Sequence, residues 1–222
     1  MEQASAHIAN WGGYRLFQQA LGDVGWERFP VLHAELPDVN GGFMSAEQAG
    51  RVLAELDAFL DCGVIGEKTV LLDTSTEEEL YQRIAAYDGV FILSGSTGVD
   101  VGLEASGVFV RDRGTGEELF RAQRLRQFKP DASPVTGDDN GIVWENLDTG
   151  QCYAARLAIP GKVVPWDNGE WQNAEGKVRR EYPSELHVEV APWRAEEFRA
   201  IVDALKTVSA ASVETGNPVI WC

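Results

Sequence analysis

The stretch Ser45-Ala-Glu-Gln-Ala-Gly-Arg-Val-Leu-Ala-Glu-Leu-Asp-Ala-Phe-Leu60 decides one half of the fold. Ser45 followed by Gln48 fits a capping box, in which each side chain bonds the backbone amide of the other residue. Apolar side chains then recur at the spacing of one helix face. They are Ala49, Val52, Leu53, Leu56, Phe59 and Leu60. The pattern predicts an amphipathic helix that ends near Gly63.

Outside this stretch, similar periodicity predicts further helices over Trp11–Leu21 and Ala195–Val208. Thr76 is expected to cap another helix, because Glu77–Glu79 would then fill the first turn, where the helix dipole favours negative charge. On this prediction the acidic triplet is a helix start and not a partner site. Arg28–Leu36 reads as an extended segment between two prolines.

The other half of the fold begins at Gly89, where the pattern changes to short strands separated by turns. The predicted strands are Thr69–Leu72, Val90–Leu93, Gly107–Arg111, Glu118–Gln127, Ile142–Glu145, Gln151–Ile159 and Leu186–Val190. The turns 113–116 and 147–150 each end in glycine and indicate hairpins. We therefore expect an α+β fold, mainly an antiparallel sheet with helices packed on one face. A single domain over 1–222 is predicted, with a subdivision near 94–106 as the alternative.

Charge excludes several classes of partner. The chain has 35 acidic and 19 basic residues, a net charge of −16. Residues 1–105 hold 17 acidic and 5 basic residues, and residues 106–222 hold 18 and 14. A negative field repels nucleic acid and anionic membranes and speeds encounter with cationic partners. The alternative is that the acidic charge only keeps the protein soluble.

Location is predicted from what the sequence lacks. No apolar run approaches the ~20 residues that span a bilayer, and Met1–Asn10 has no secretory pattern. The three cysteines are widely spaced, which predicts reduced thiols. We expect a cytoplasmic protein without a membrane partner.

Two His-x-Glu pairs are the candidates for chemistry: His33-Ala-Glu35 and His187-Val-Glu189. On a strand, residues two apart share a face, so two such pairs on neighbouring strands could bind a metal. The zinc deaminases that use His-x-Glu also need a Cys-x-x-Cys, which this chain lacks. Ser94-Gly-Ser-Thr-Gly98 fits neither a nucleophile elbow nor a phosphate loop. No catalytic residue, metal ligand or cofactor is predicted, and a metal-dependent enzyme using both pairs is the alternative function.

Pro160–Pro183 is predicted to be irregular, and a partner-binding loop is predicted within it, where tryptophan and acidic residues occur together. Tryptophan is enriched at interface hot spots, and carboxylates suit a basic partner. The alternative is that both tryptophan rings pack inward on the sheet. The predicted partner-binding residues, including two acids from the loop 128–140, are Asp138, Asp139, Trp166, Asp167, Glu170 and Trp171.

Three stretches carry a resemblance to a known class of protein: Asn40–Leu56, Gly89–Ser94 and Ala211–Trp221. They resemble bacterial immunity-type proteins that are encoded beside polymorphic toxins. The resemblance implies that the chain acts by binding a cognate protein toxin, not by catalysis. An acidic protein of this kind would cover a basic toxin active site in a 1:1 complex. A structural or regulatory module without a toxin partner is a third hypothesis.

Overall fold

The structure is a computed structural model, and it describes residues 5–6, 9–39, 41–94, 98–133, 135, 141–161, 163–165, 172–173, 176–180 and 182–221. The chain forms two compact units. The first contains Met1–Glu67 and Pro192–Cys222, and the second contains Lys68–Ala191. The alternative boundary near 94–106 falls within the second unit, and the single-domain prediction stays a prediction.

Four α-helices and fifteen strands are described, together with three short 3₁₀ turns. The helices are α1 (Trp11–Val24), α2 (Pro30–Glu35), α3 (Ala46–Leu60) and α4 (Arg199–Thr215). The 3₁₀ turns are Trp26–Arg28, Ala85–Tyr87 and Ala195–Phe198. The strands are β1 (Phe43–Met44), β2 (Val64–Asp73), β3 (Glu78–Gln82), β4 (Val90–Ser94), β5 (Val99–Glu104), β6 (Gly107–Asp112), β7 (Glu118–Ala122), β8 (Arg124–Phe128), β9 (Ile142–Asn146), β10 (Cys152–Ala155), β11 (Val163–Pro165), β12 (Gln172–Asn173), β13 (Gly176–Arg180), β14 (Glu185–Arg194) and β15 (Val219–Ile220).

These strands form four sheets, whose orders are β1-β15, β10-β9-β8-β14-β2-β3, β11-β13-β12 and β4-β5-β6-β7. Neighbouring strands pair antiparallel, for example β5 with β6 and β8 with β9. The predicted α+β fold with mainly antiparallel sheets is confirmed. Among the described residues, no helix combines the length and apolar character that crossing a bilayer requires.

The first unit is built on a helical core. Phe59 of α3 lies edge-on to Phe17 of α1, with ring centroids 5.4 Å apart, and also contacts Phe29 and Phe198. Trp193, from the end of β14, is fully buried in the same cluster. The predicted capping box of α3 is confirmed, since the Ser45 and Gln48 side chains each accept from the other residue's amide. The apolar stripe read from the sequence therefore forms the core of this unit.

The extended segment predicted over Arg28–Leu36 is wrong, because this stretch forms a 3₁₀ turn and α2. Pro30 occupies the first helical position, where its missing N–H is not needed. The Glu55 carboxylate of α3 accepts hydrogen bonds from the amides of Val31 and Leu32, at 3.0 and 2.8 Å. A distant residue supplies this cap, so the local sequence does not reveal the helix.

The helix predicted after Thr76 is also wrong. β2 is followed by a turn over residues 74–77, and the chain then returns as β3. The Asp73 side chain accepts from the Ser75 amide at 2.8 Å, a local bond that competes with helix formation. Glu77 adopts a left-handed φ of 56°, which no helix start would require. The acidic triplet is therefore not a helix start.

The second unit has a core to which two sheets contribute. Val110 and Phe120 come from the four-stranded sheet, and Leu125, Trp144 and Leu186 come from the six-stranded sheet. The single strand predicted over Glu118–Gln127 divides into β7 and β8, which belong to different sheets. The two predicted hairpin turns, at 113–116 and 147–150, are confirmed.

Buried Gln127 fastens two loops to β8 in this unit. Its side-chain amide donates to the carbonyls of Ile159 and Pro183, at 2.9 and 2.6 Å. Its side-chain oxygen accepts from the Ile159 amide at 2.9 Å.

The region predicted to be irregular, Pro160–Pro183, also contains the short strands β11, β12 and β13.

Candidate functional site

The six residues predicted to bind the partner all lie outside the described residues: Asp138, Asp139, Trp166, Asp167, Glu170 and Trp171. Their role stays a prediction. The alternative for the two tryptophans, that their rings pack inward, stays open in the same way.

The net negative charge is divided equally between the two units. The first unit has 14 acidic and 6 basic residues, and the second has 21 and 13, so each carries −8. The excess of acidic over basic residues in residues 1–105 does not coincide with one folded unit. The first unit also includes residues 192–222, and 13 of the 19 basic residues belong to the second unit. No described Asp or Glu is buried. The negative field of the described carboxylates therefore reaches the solvent.

Base–acid pairs offset part of this charge in both units. Arg126 bonds Glu145 directly across β8 and β9. Arg113, in the turn after β6, bonds Asp100 of β5 at 2.5 Å. In the first unit, Arg15 reaches Asp38 at 2.8 Å. The hydrogen bond from Arg15 holds the pKa of the Asp38 carboxyl below its ordinary value. The remaining carboxylates outnumber the bases that could pair with them.

An exposed apolar pair lies on the small sheet of the first unit. Phe43 of β1 stands directly opposite Ile220 of β15, and their next neighbours Met44 and Val219 are paired in the same way. Met44 and Val219 are buried, whereas Phe43 is 68% and Ile220 is 66% exposed. Directly opposed side chains on one face of a sheet are in contact range. We call Phe43 and Ile220 the apolar pair.

The first His-x-Glu pair does not form the expected shared face. His33 and Glu35 lie on α2, and residues two apart on a helix point to different sides. The His33 ring stacks on Trp26 with centroids 4.7 Å apart, while the Glu35 carboxylate accepts from the Gln48 side chain. The prediction that both pairs lie on strands is therefore wrong for His33 and Glu35.

The second His-x-Glu pair lies on a strand, as predicted. Leu186 and Val188 of β14 are buried, and His187 and Glu189 point to the opposite face. The turn after β2 adds Glu77 to this face, so that one ligand atom from each of Glu77, His187 and Glu189 lies within 4.8 Å of the others. His187 Nε2 is 3.7 Å from the Glu77 carboxylate. We call these three residues the His187 cluster.

Thr74 positions the ring of His187. The Thr74 amide donates to the carbonyl of Glu185 at 3.1 Å, which fastens the turn to β14. The Thr74 hydroxyl is 3.0 Å from His187 Nδ1. An open groove of about 320 Å³ adjoins the ring and is lined by Thr74, His187, Arg124, Asp148 and five further residues. Arg124 bonds Asp148 at 2.6 Å, so its charge is offset within the groove.

Glu77 and Thr74 are residues that sequence reasoning missed, because the segment was interpreted as a helix start. The signal that could have found them is Asp73 two residues before Ser75, since aspartate in this position is typical of a turn. A turn at that point returns the chain beside β2 and leaves Glu77 at the end of the sheet. The His187 cluster could therefore be predicted only with knowledge of which strands are neighbours.

The described fold and surface define an acidic α+β protein with two units, an exposed apolar pair and a histidine–carboxylate cluster. Comparison with protein-family models, curated proteins and solved structures finds no match.

Proposed function

We propose that this protein is an immunity protein, which binds a cognate protein toxin and covers a basic active-site surface. The observation that carries the proposal is the exposed apolar pair on a unit with 14 acidic and 6 basic residues. A binding protein of this kind needs a complementary surface and no catalytic group of its own.

Charge supplies the long-range part of the proposed recognition. The net charge is −16, and every described carboxylate is at least partly exposed. Clustered negative charge raises the rate at which a basic partner is encountered, up to ~10³-fold at low salt. Steering of this kind suits an inhibitor that must capture a toxin before the toxin meets its substrate.

The apolar pair supplies the short-range part. Interfaces commonly have an apolar centre inside a polar rim, and a few central residues carry much of the binding energy. Phe43 and Ile220 are flanked along the chain by the exposed acidic residues Asp38, Glu47 and Glu214. An apolar centre beside carboxylates fits a partner with an apolar patch next to lysine or arginine side chains.

The resemblance to immunity-type proteins agrees with this location. Two of the three stretches that carry it, Asn40–Leu56 and Ala211–Trp221, come together in the first unit. β1 pairs with β15, and the Trp221 amide donates to the Gly42 carbonyl at 3.2 Å. The stretches that resemble the class therefore build the apolar pair.

The direct test is co-expression with the product of the adjacent gene. We expect cells that express this product to survive only with the protein, and the two chains to co-purify at 1:1. Absence of both protection and a complex would overturn the proposal.

A double variant locates the interface. Phe43→Ser with Ile220→Ser is expected to weaken binding by ~30-fold or more, since hot-spot truncations cost about 2 kcal/mol or more. Val64→Ser with Val190→Ser is the matched control, because these side chains are 55% and 44% exposed and belong to neither β1 nor β15. Equal loss of affinity in both double variants, measured by calorimetry, would contradict an interface at the apolar pair.

A further inference from the structure

We propose that Glu77, His187 and Glu189 bind one divalent transition-metal ion of the zinc type. The proposal goes beyond toxin binding and does not depend on it, since the cluster lies within the second unit. It also differs from the two-pair site of the alternative function, because Glu77 replaces His33 and Glu35.

His187 is oriented as a metal-binding histidine usually is. Such residues donate one ring N–H to an oxygen, which fixes the ring and leaves the other nitrogen free to bind. The Thr74 hydroxyl oxygen is 3.0 Å from Nδ1 and can accept a hydrogen bond from the Nδ1–H group. Nε2 then presents its lone pair on the side of Glu77. The turn holds Thr74 in place through its amide bond to the Glu185 carbonyl.

The spacing of the cluster fits a bridging ion better than a direct hydrogen bond. Nε2 lies 3.7 Å from the Glu77 oxygen, beyond the roughly 2.7–3.2 Å of a hydrogen bond. Two ligands at about 2.0–2.1 Å from a tetrahedral zinc ion are separated by roughly 3.4 Å. A small rotation of the exposed Glu77 and Glu189 side chains would close the remaining distance.

The donor set selects the class of ion. One imidazole and two carboxylates suit zinc and its transition-metal neighbours, whereas calcium takes six to eight oxygen ligands. Three protein ligands leave a fourth position open, as in zinc sites that bind water or substrate. His187 and Thr74 also line the open groove, so solvent has access to the ion beside them.

Among the described residues that line this groove, Arg124 carries the one guanidinium, and Arg124 stands opposite His187 across β8 and β14. The bond between Arg124 and Asp148 offsets its charge and leaves the carboxylates of Glu77 and Glu189 to balance the ion. Two negative ligands and one neutral imidazole would match the charge of a divalent ion.

The test is a titration of the chelator-treated full chain with Zn²⁺ alone, after its thiols have been alkylated. Alkylation removes the free cysteines Cys62 and Cys152 as competing ligands. Calorimetry is expected to show one ion per chain, and Co²⁺ should give the visible absorption of a tetrahedral site. Absence of binding by calorimetry would overturn the proposal.

Variants distinguish the cluster from adventitious binding. His187→Ala, Glu77→Gln and Glu189→Gln are each expected to weaken Zn²⁺ binding at least tenfold, while the controls His33→Ala and Glu79→Gln leave it unchanged. Circular dichroism checks that each variant is folded. We expect each variant to fold, because none of the substituted side chains is buried. Unchanged affinity in His187→Ala would overturn the proposal.

Thr74 is assigned as a positioning residue. Thr74→Val should weaken Zn²⁺ binding about 10–100-fold, the usual effect of removing the hydrogen-bond partner of a ligand histidine. Thr74→Ser keeps the hydroxyl and should restore the affinity. If Thr74→Ser binds as weakly as Thr74→Val, the hydroxyl does not orient His187.

Discussion

The two units carry the same net charge of −8 but arrange it on different scaffolds. In the second unit, antiparallel strands place bases opposite acids, as with Arg126 and Glu145. The first unit has 6 bases for 14 acids and exposes the apolar pair beside them. Net charge alone therefore does not locate a binding face. What distinguishes the two surfaces is how much of the charge is paired and which apolar groups lie next to it.

The largest expected effects come from one core residue in each unit. Phe59→Ala in the first unit and Trp144→Ala in the second are each expected to cost about 3–5 kcal/mol, because both side chains are fully buried among aromatic rings. The free energy of unfolding is measured with denaturant, following fluorescence and circular dichroism.

The same pair of variants tests the single-domain prediction. If the chain is one cooperative domain, both changes lower the same transition, and the two probes coincide. Two separate transitions, each shifted by only one of the changes, would contradict it. Phe59→Leu and Trp144→Phe serve where the alanine variants do not fold.

The helical half of the fold was predictable where the signal is local. The Ser45–Gln48 capping box and the apolar stripe that follows it need no distant partner, and both were confirmed. α2 was missed because its cap comes from Glu55 of another helix. The turn before Glu77 was missed because a run of acids also suits a helix start. Long-range contacts decided both cases.

Glycine substitutions should have opposite effects in the two units. Gly50 lies on the exposed side of α3 with ordinary contact distances, so Gly50→Ala is expected to stabilise the protein by about 0.5–1 kcal/mol. Gly107 has a φ of +135°, and an added Cβ would lie 2.4 Å from the Ala122 carbonyl oxygen. Gly107→Ala is expected to cost about 1–3 kcal/mol. Thermal unfolding measures both changes.

Gly116→Ala separates backbone strain from collision. Gly116 has a φ of +75° but open space around its would-be Cβ, so its substitution introduces strain alone. If close packing at Gly107 matters, Gly107→Ala lowers the free energy of unfolding more than Gly116→Ala does. Equal effects would show that the contact with Ala122 contributes nothing.

The smallest expected effects concern two exposed carboxyls. Arg15 lowers the pKa of Asp38, whereas the Thr115 amide and hydroxyl lower the pKa of Asp112. Salt screens an ion pair more than bonds from neutral donors, so added salt should raise the pKa of Asp38 more. Arg15→Gln should raise the pKa of Asp38 alone. Carboxyl titration by NMR measures both.

The sign of the stability effect follows from these directions. A carboxyl group whose pKa is lower in the folded than in the unfolded protein stabilises the folded state. The full stabilisation is present at pH values above the pKa in the unfolded protein, which is about 3.9 for aspartate. That stabilisation is lost as the pH falls through the folded pKa. Arg15→Gln should therefore reduce the loss of stability that acid causes. In the salt titration, an equal rise of the pKa values of Asp38 and Asp112 would contradict the distinction between the two carboxyls.

Candidate sites were less predictable than the fold. His187 and Glu189 were identified because they share a strand face, which is a local property. Glu77 and Thr74 join them only through the neighbouring strands β2 and β14. The apolar pair unites residues from opposite ends of the sequence, and neither Phe43 nor Ile220 stands out in its own segment. Both sites depend on strand pairing that no single stretch encodes.

Pairing of β1 with β15 also sets the order in which the protein can fold on the ribosome. All residues of the second unit have been synthesised once Ala191 is added. Phe43, in contrast, can pair with Ile220 only after almost the whole chain has been synthesised. At about 5–20 residues per second, the interval between Phe43 and Ile220 is roughly 10–35 seconds. During this time α1–α3 lack α4, so their apolar faces are open to chaperones. The apolar pair does not exist in any shorter nascent chain, and whatever binds it must recognise the protein after residue 220 has emerged.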